Sequence, residues 1–478
     1  MKAVRGYIGI VLLLMLSINV HAQTRQLRKT DSVFRLIKKY IGTKDVDSIY
    51  NLGNDDYKKS VSQGIFRNYL FQDIFSLGLL QKDSLISFVN NTTAAYKLEF
   101  AKSSIQLELS LDRDDKIAFF HYGTYHKKPT TKTSLVASGN PLLSVLDKKV
   151  DTVARAYIQQ SNTVGLTIGI IKDGKISTYN YGETKRGNNR LPTTSTIYEI
   201  ASISKTFTAA ILAWYVNEGK LHLNDRITKY LPDSVAANPE LQKITLTNLS
   251  NHTSGLPGLP SNFNAQRPYD PLNPYKYYTS QLLYTYLKNC RLKNEPGRVY
   301  AYSNLAVALL GNILERVSGK TYEQLVEEII CKPLGMNTTV QHLYPMISTR
   351  MTSVYNETGK ETPVWDFNVL VAHGGLKSTI DDMLLYAKAN MYKSNTKLSK
   401  AFELAHQVTF AGGENFKLCL GWHIIDIDGV NYYYHNGGTY GSSSYLAYNT
   451  EKNLAVIVLS NAVESTDIVG NDIIKKLQ

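Results

Sequence analysis

The stretch YEIASISKTFTAAILAWYVNEGK, residues 198–220, sets two serines just ahead of a lysine. Phe207, Ala210, Ile211 and Trp214 fall on one apolar stripe and Gly219 marks a stop, so the spacing predicts a helix that begins near Ser202. Residues three apart on a helix are neighbours, with Cβ atoms ~5–6 Å apart. Ser202 and Lys205 therefore share a face, while Ser204 points about 100° or more away. At a helix N-terminus a serine also sits where unpaired N–H groups and the helix dipole favour developing negative charge. This is the arrangement of a nucleophile, a proton-transfer partner and an oxyanion site. A capping serine followed by a solvated lysine has the same spacing, so the pair alone is weak. A second Ser-x-x-Lys, Ser394 to Lys397, lies in a polar segment without an apolar stripe and reads as surface.

Two further groups lie downstream. In EPGRVYAYSNLAVALLG, Tyr302-Ser303-Asn304 follows a Pro-Gly turn and precedes an apolar helix, which makes it a loop constellation. The similar Tyr215 to Asn217 pair lies inside the helix that starts near Ser202, roughly three turns on, and reads as packing and surface. In YYYHNGGTYGSSSYLAYN, His435-Asn436-Gly437-Gly438 interrupts a Tyr-rich strand, where glycines let a substrate approach the backbone closely. The ten histidines are scattered singly and the chain has neither a GxSxG elbow nor an HExxH helix, so no metal or other cofactor is expected. His252, His373 and His423 read as packed or hydrogen-bonded residues rather than catalytic ones.

These three groups, in this order, resemble the motifs of the class C β-lactamase and penicillin-binding serine hydrolase superfamily over residues 142–478. Connecting phrases such as LTNLSNHTSGLPG, SGKTYEQLVEEIICKPLGM, HGGLKSTIDDML and LGWHI are similar to that superfamily as well. The resemblance implies that Ser202 attacks a carbonyl, that Lys205 and Tyr302 share proton transfer, and that Asn304 either contacts a substrate amide or steadies Lys205. It places the oxyanion on the backbone N–H groups of Ser202 and Gly438, and His435 and Gly437 at the substrate-binding third motif, often Lys-Thr-Gly. Lysine and tyrosine, with pKa values of ~10.4 and ~10 when unperturbed, are poor bases at neutral pH, so one of them must be shifted. Histidine in the third motif is cationic only below about its reference value of ~6.5, so it makes attraction of a substrate carboxylate pH-dependent or replaces it with hydrogen bonding. His-x-Gly is similar to the version in several peptidases and esterases of the superfamily, so the resemblance extends the implied substrates from a β-lactam to a D-amino-acid peptide or small ester. Nothing resembles the deacylating glutamate motif of class A enzymes. The implied activity is that of an exported serine hydrolase; the alternative is a penicillin-binding or sensor protein of the same fold that does not turn over.

The elements that must position these groups follow from composition and periodicity. With 43% hydrophobic and 19% charged residues, the chain is ordinary for a folded protein of two domains. Residues 1–22 carry Lys2 and Arg5, an apolar run and a small-residue end, and read as a cleaved export signal to the periplasm or exterior. Residues 23–126 pass from helices, with Val33, Ile37 and Tyr40 on one face, to a strand meander. Its inward residues are Tyr96, Leu98 and Phe100, then Ile105, Leu107, Leu109 and Leu111, then Ile117 and Phe119. This small α+β unit is loosely similar to the NTF2-like domains that precede some superfamily members, and a spacer role is expected of it. Residues 127–141 read as a linker, and 142–478 as one α+β hydrolase domain with an antiparallel sheet flanked by helices and a mostly helical subdomain. Its Asp173-Gly174 pair signals a hairpin. The net charge of +13 is spread without aromatic-basic clustering, so no nucleic-acid partner is expected; the partner is a small-molecule or peptide substrate, with cell-wall material a further candidate. Three widely spaced cysteines allow at most one bridge.

Overall fold

A computed structural model describes residues 25–478, apart from 90–91, 126–128 and 413–415. The export signal expected over residues 1–22 lies outside the described residues. The chain divides after residue 128 into two compact units.

In the first unit a helix over residues 25–43 buries Val33, Phe34, Ile37 and Ile41. Shorter helices lead into a four-stranded antiparallel meander of β1 (Leu80–Val89), β2 (Thr93–Phe100), β3 (Ser104–Leu111) and β4 (Ile117–Thr124). The alternation read in Tyr96, Leu98 and Phe100 and in Ile105 through Leu111 is the inward face, packed on the helices. Phe119 departs from it. Ile117 pairs with Leu111 but Phe119 pairs with Ser110, so a bulge at Ala118 reverses the strand's faces, and Phe119 is exposed while Ile117 is buried. β1 escaped the sequence reading because LQKDSLISFV interleaves polar residues as an edge strand does, and its pairing is twice interrupted.

The second unit is built on an eight-stranded sheet. β5 (Gly165–Lys172) and β6 (Lys175–Gly182) form the expected hairpin, with both turn residues, Asp173 and Gly174, at positive φ as a mirror-image two-residue turn requires. After two short paired strands, β7 (Tyr198–Glu199) and β8 (Lys377–Ser378), come β9 (Phe410–Ala411), β10 (Lys417–Leu418), β11 (His423–Ile427), β12 (Val430–Gly438), β13 (Ser443–Asn449) and β14 (Leu454–Ser460). The sheet order is β9-β10-β11-β12-β13-β14-β5-β6, antiparallel throughout, so the last strand pairs with the first and the two ends of the domain close the sheet.

β14 explains why its sequence, LAVIVLS, is apolar without alternation. Leu454, Val456 and Val458 face one core with α1 (Val145–Ile158), while Ala455, Ile457 and Leu459 face the other. The second core is built with α2 (Ser204–Asn217), α3 (Asn304–Ser318) and α4 (Ile380–Met391). A strand covered on both faces gains roughly 1.5–3 kcal/mol from each large apolar side chain it buries. α5 (Asp467–Leu477) lies on the α1 side, with Val469 and Ile473 in that core.

The stretch expected as a linker is tied to the second unit from Pro129 onward. Thr131 bridges Gln160, Ser138 bridges Tyr181 of β6, and Lys132 Nζ donates to the carbonyls of Ile158 (2.7 Å) and Thr163 (2.8 Å). Its polar backbone partly covers the open edge of the sheet, a use that composition does not signal. All three cysteines are buried and unpaired. Among the described residues, no helix is long and apolar enough to cross a membrane.

A close helix-to-sheet approach at Gly470 tests this packing. A Cβ on Gly470 would stand 2.3 Å from the buried ring of Tyr445. Gly470→Ala is expected to destabilise the protein by about 1–3 kcal/mol through overpacking, read as a lower Tm in a thermal melt. An unchanged Tm would mean that α5 can lift off the sheet freely.

Candidate active site

The nucleophile candidate lies in a turn held from four directions. β7 ends at Glu199, a tight 3-10 turn covers Ala201–Ile203, and α2 starts at Ser204. Ser202 is thus just ahead of the helix proper rather than its first residue. Ala201 has φ +44°, a strained conformation for a residue with a Cβ, which persists only when its surroundings over-determine it. Here they do. Ile200 N donates to Leu376 O (3.1 Å), Ser444 Oγ donates to Ile200 O (2.8 Å), and Ser204 Oγ donates to Ala201 O (2.6 Å) while accepting from Leu376 N (3.1 Å). Ser204, which the helix geometry turned away from Lys205, pins the backbone that carries Ser202.

Lys205 is 1% exposed. Its Nζ donates to Ser202 Oγ at 2.8 Å and to His373 O at 2.6 Å. The carbonyl is delivered by the turn Asn368–His373, which Thr208 Oγ1 of α2 holds through Ala372 O (2.7 Å). Burial holds the Lys205 amine well below the usual lysine range, because a desolvated ammonium is penalised. Lys205 Nζ lies 4.9 Å from the ring centroid of Tyr302. Burial pushes the Tyr302 phenol up, against the opposing effect of its hydrogen bond with Ser202. Of the two weak bases that the sequence offered, the lysine is therefore the one shifted toward a free lone pair. Tyr302 keeps 38% of its surface accessible, so the group is reachable from solvent.

Tyr302 is set by a strap that includes His252. Ala301 N donates to His252 O (2.9 Å), Ser303 N to His252 Nδ1 (3.1 Å), Ser303 Oγ to Pro257 O (2.6 Å) and Leu305 N to Gly258 O (3.1 Å). Ser303 also caps α3, so Asn304 is the first residue of that helix rather than part of the loop. Asn304 Oδ1 is buried without a partner, and the two acceptors of Lys205 Nζ are Ser202 and His373, not Asn304.

The His252 ring lies 4.3 Å from Tyr302, centroid to centroid, and His423 and His435 each lie 6.5 Å from it. The three imidazoles are neighbours of one another, His252 to His423 at 6.3 Å and His423 to His435 at 5.3 Å. His373 lies apart from them, its ring 5.1 Å from Tyr275 and 5.1 Å from Phe367. Of the three histidines set aside in the sequence, two therefore ring the candidate tyrosine and the third contributes its carbonyl. The signal was the His-Thr-Ser-Gly and Gly-Trp-His phrases, whose meaning depends on which strand they meet.

His435 is placed for hydrogen bonding rather than for charge. It is 1% exposed, its Nδ1 is 2.6 Å from Asn436 O, and its Nε2 has no partner. Burial, helped by the neighbouring His423 and Lys205, holds it well below the ordinary histidine range, and burial brings His423 down to about 4. A pH-dependent positive charge near pH 6.5 is thus not available at His435. The carbonyl contact requires Nδ1 to carry the proton, leaving Nε2 as an acceptor. Asn436 Nδ2 donates to Asp467 Oδ2 (2.8 Å), which anchors the motif to α5.

Gly437 is where the third motif meets the nucleophile turn. A Cβ there would stand 2.5 Å from Ile200 O and 2.8 Å from Ser202 N, so no other residue fits without displacing backbone. Gly438, exposed, follows in β12 opposite Ser443 of β13. The structure thus brings together Ser202, Lys205, Tyr302, His435 and Gly437. The loop that follows Gly258 packs inward: Phe263, Tyr275 and Tyr278 are buried, and Tyr275 stacks on Phe367 at 4.7 Å. Among the described residues, no group of three or more His, Cys, Asp or Glu side chains is arranged to hold a metal ion.

The sequence matches the β-lactamase family over residues 150–477. It is 31% identical over 332 residues to the D-alanyl-D-alanine-carboxypeptidase/endopeptidase AmpH of Escherichia coli (strain K12), covering 65% of this chain and 82% of that one. It is 27% identical over 346 residues to a β-lactamase of Pseudomonas fluorescens, covering 65% of this chain and 92% of that one. Its fold is like that of a β-lactamase/D-alanine carboxypeptidase of Pseudomonas syringae, with TM-score 0.62, 23% identity, and coverage of 70% and 98% of the two chains. A class C β-lactamase structure is similar with TM-score 0.63, 24% identity, and coverage of 71% and 98%. The first unit lies outside the family match.

The desolvated lysine predicts the sign of a pH profile. Only the neutral amine accepts a proton, so the reactivity of Ser202 toward an acylating probe should rise as pH passes upward through the lowered Lys205 value and level off well short of ~10.4. Labelling rates measured across pH would refute this if they kept climbing through the ordinary lysine range. Lys205→Arg, whose guanidinium stays charged, should cut the rate about 10²–10⁴-fold at every pH.

Proposed function

The chain belongs to the β-lactamase family and is a serine hydrolase, and we propose that it is exported and opens an amide or ester bond through an acyl-enzyme on Ser202. The observation that carries this reading is the 2.8 Å contact between Ser202 Oγ and a lysine amine that burial holds below its usual range. Lys205 takes the hydroxyl proton as Ser202 Oγ attacks the carbonyl. The backbone N–H groups of Ser202 and Gly438 receive the oxyanion, whose charge a preorganised pair of donors stabilises without reorganisation. Tyr302, kept protonated by its burial, passes a proton to the leaving group and is replenished by Lys205. In the second half-reaction the same pair orients water and takes its proton, so no separate general base is needed.

Asn304 contacts the substrate amide, and its unpartnered Oδ1 is an acceptor for that purpose. His435 presents Nε2 as an uncharged acceptor and Gly437 lets the substrate lie along β12. Recognition by His435 therefore works through hydrogen bonding rather than through a positive charge. The substrate class is a β-lactam, a D-amino-acid peptide or a small ester, in keeping with the β-lactamase and D-alanyl-D-alanine-carboxypeptidase names of the relatives. Residues 1–22 direct export, cell-wall material is the natural source of such peptides, and the first unit serves as a spacer.

A fluorescent penicillin should label the wild-type protein and not Ser202→Ala; equal labelling of the two would remove Ser202 as the nucleophile. A chromogenic cephalosporin, a D-Ala-D-Ala peptide and a p-nitrophenyl ester then separate the substrate classes by turnover. Labelling with no turnover of any of the three would overturn the hydrolase mechanism in favour of a stable acyl-protein.

A further inference from the structure

A buried carboxylate lies three residues ahead of Ser202. Glu199 is 2% exposed and accepts three hydrogen bonds from two segments that wall the site. Its Oε2 accepts from Thr439 Oγ1 (2.8 Å) and from Ser442 Oγ (2.8 Å), and its Oε1 accepts from the backbone N–H of Trp365 (2.8 Å). Lys377, its cross-strand neighbour, directs Nζ to the carbonyls of Gln341 (3.0 Å) and Gly375 (3.3 Å). Glu199 is therefore held by neutral donors.

We propose that Glu199 is a positioning residue that fixes the separation of the two oxyanion donors, the backbone N–H groups of Ser202 and Gly438. The proposal rests on the acyl-enzyme reading of Ser202. Glu199 is continuous with the Ser202 turn, and Thr439 directly follows Gly438, so one carboxylate links the backbones that carry both donors. Those backbones already touch at Gly437 and are joined on the other side by Ser444 Oγ to Ile200 O. The Glu199 and Ser444 contacts bracket the approach, and a misplacement of about 1 Å in such a site costs on the order of 10²-fold in rate. The Trp365 contact extends the link. The Trp365 ring lies 5.2 Å from Tyr275, which lies 5.1 Å from His373, whose carbonyl holds Lys205.

The donor pattern makes the carboxylate specific. Thr439 Oγ1 already accepts from Gly441 N (3.2 Å) and Ser442 N (3.1 Å), so its own proton is directed at Glu199. The Trp365 N–H can only donate. A glutamine of the same shape sets its NH₂ against either the Thr439 hydroxyl or the Trp365 N–H, whichever way the amide is turned.

The test follows Ser202 acylation by a fluorescent penicillin in the full chain, over a range of probe concentrations, with a thermal melt on each variant. Glu199→Gln and Thr439→Val should lower the maximal acylation rate about 10–100-fold and leave the half-saturating concentration near the wild-type value. Thr439→Ser, which keeps the hydroxyl, should restore most of the rate lost in Thr439→Val. If Glu199→Gln fails to fold, the two Thr439 variants carry the test. Folded variants that acylate within twofold of wild type, or that lose only half-saturation, would overturn the proposal. A wild-type chain that takes no label would overturn the acyl-enzyme reading and this one with it.

Discussion

A lysine amine with almost no access to water stands 2.8 Å from a serine hydroxyl, and much of the second unit serves to keep it there. An ammonium in that position pays a large desolvation cost that no carboxylate repays, since its second acceptor is a backbone carbonyl. The cheaper state is a neutral amine, and a neutral amine beside a hydroxyl is a base. The 3-10 turn ahead of α2 contributes Ser202, and the first turn of α2 contributes Lys205. The water-free surroundings come from elsewhere: the Asn368–His373 turn beneath, the Tyr302 ring above, and the apolar core around α2.

The same economy governs the backbone. Two strands of chain that carry hydrogen-bond donors are brought so close at Gly437 that a single methyl group would separate them. Such a contact has no side chains of its own to stabilise it, so it is secured by polar atoms on its flanks. Ser204 and Leu376 hold the strained Ala201, Ser444 holds Ile200, and Glu199 holds the turn after Gly438. Each is buried with its hydrogen-bonding capacity largely spent, which is the condition under which a polar network rigidifies rather than destabilises.

The three imidazoles around Tyr302 follow a related logic. Each has one buried ring nitrogen left unpartnered, and desolvation together with the nearby Lys205 disfavours charge on all three. They stay neutral and serve as polar, flat packing for the tyrosine. His435 differs from the lysine often found in the third motif in that it offers a lone pair where lysine offers a positive charge. That difference bears on which substrates the site prefers, whereas the Ser202 and Lys205 pair bears on whether it reacts at all.

Read without coordinates, the chain determined whatever depends on a few neighbouring residues. The Ser202 and Lys205 face follows from helical spacing, the β5-β6 turn from Asp173-Gly174, and the inward residues of β2 and β3 from alternation. The order of the three motifs carried the family. Tertiary structure decided the properties that depend on what distant segments cover. Lys205 is the shifted base because 368–373 and Tyr302 exclude water from it, and His435 is neutral because the sheet buries it, although its sequence neighbours are polar. The docking of 129–141 on a sheet edge and the place of Glu199 between Thr439, Ser442 and Trp365 arise from pairings across long stretches of chain, whereas the bulge at Ala118 is local but shifts the register in a way that alternation alone does not signal. Local periodicity acts over one or two turns; desolvation and hydrogen-bond direction are set by whichever residues arrive from the rest of the fold.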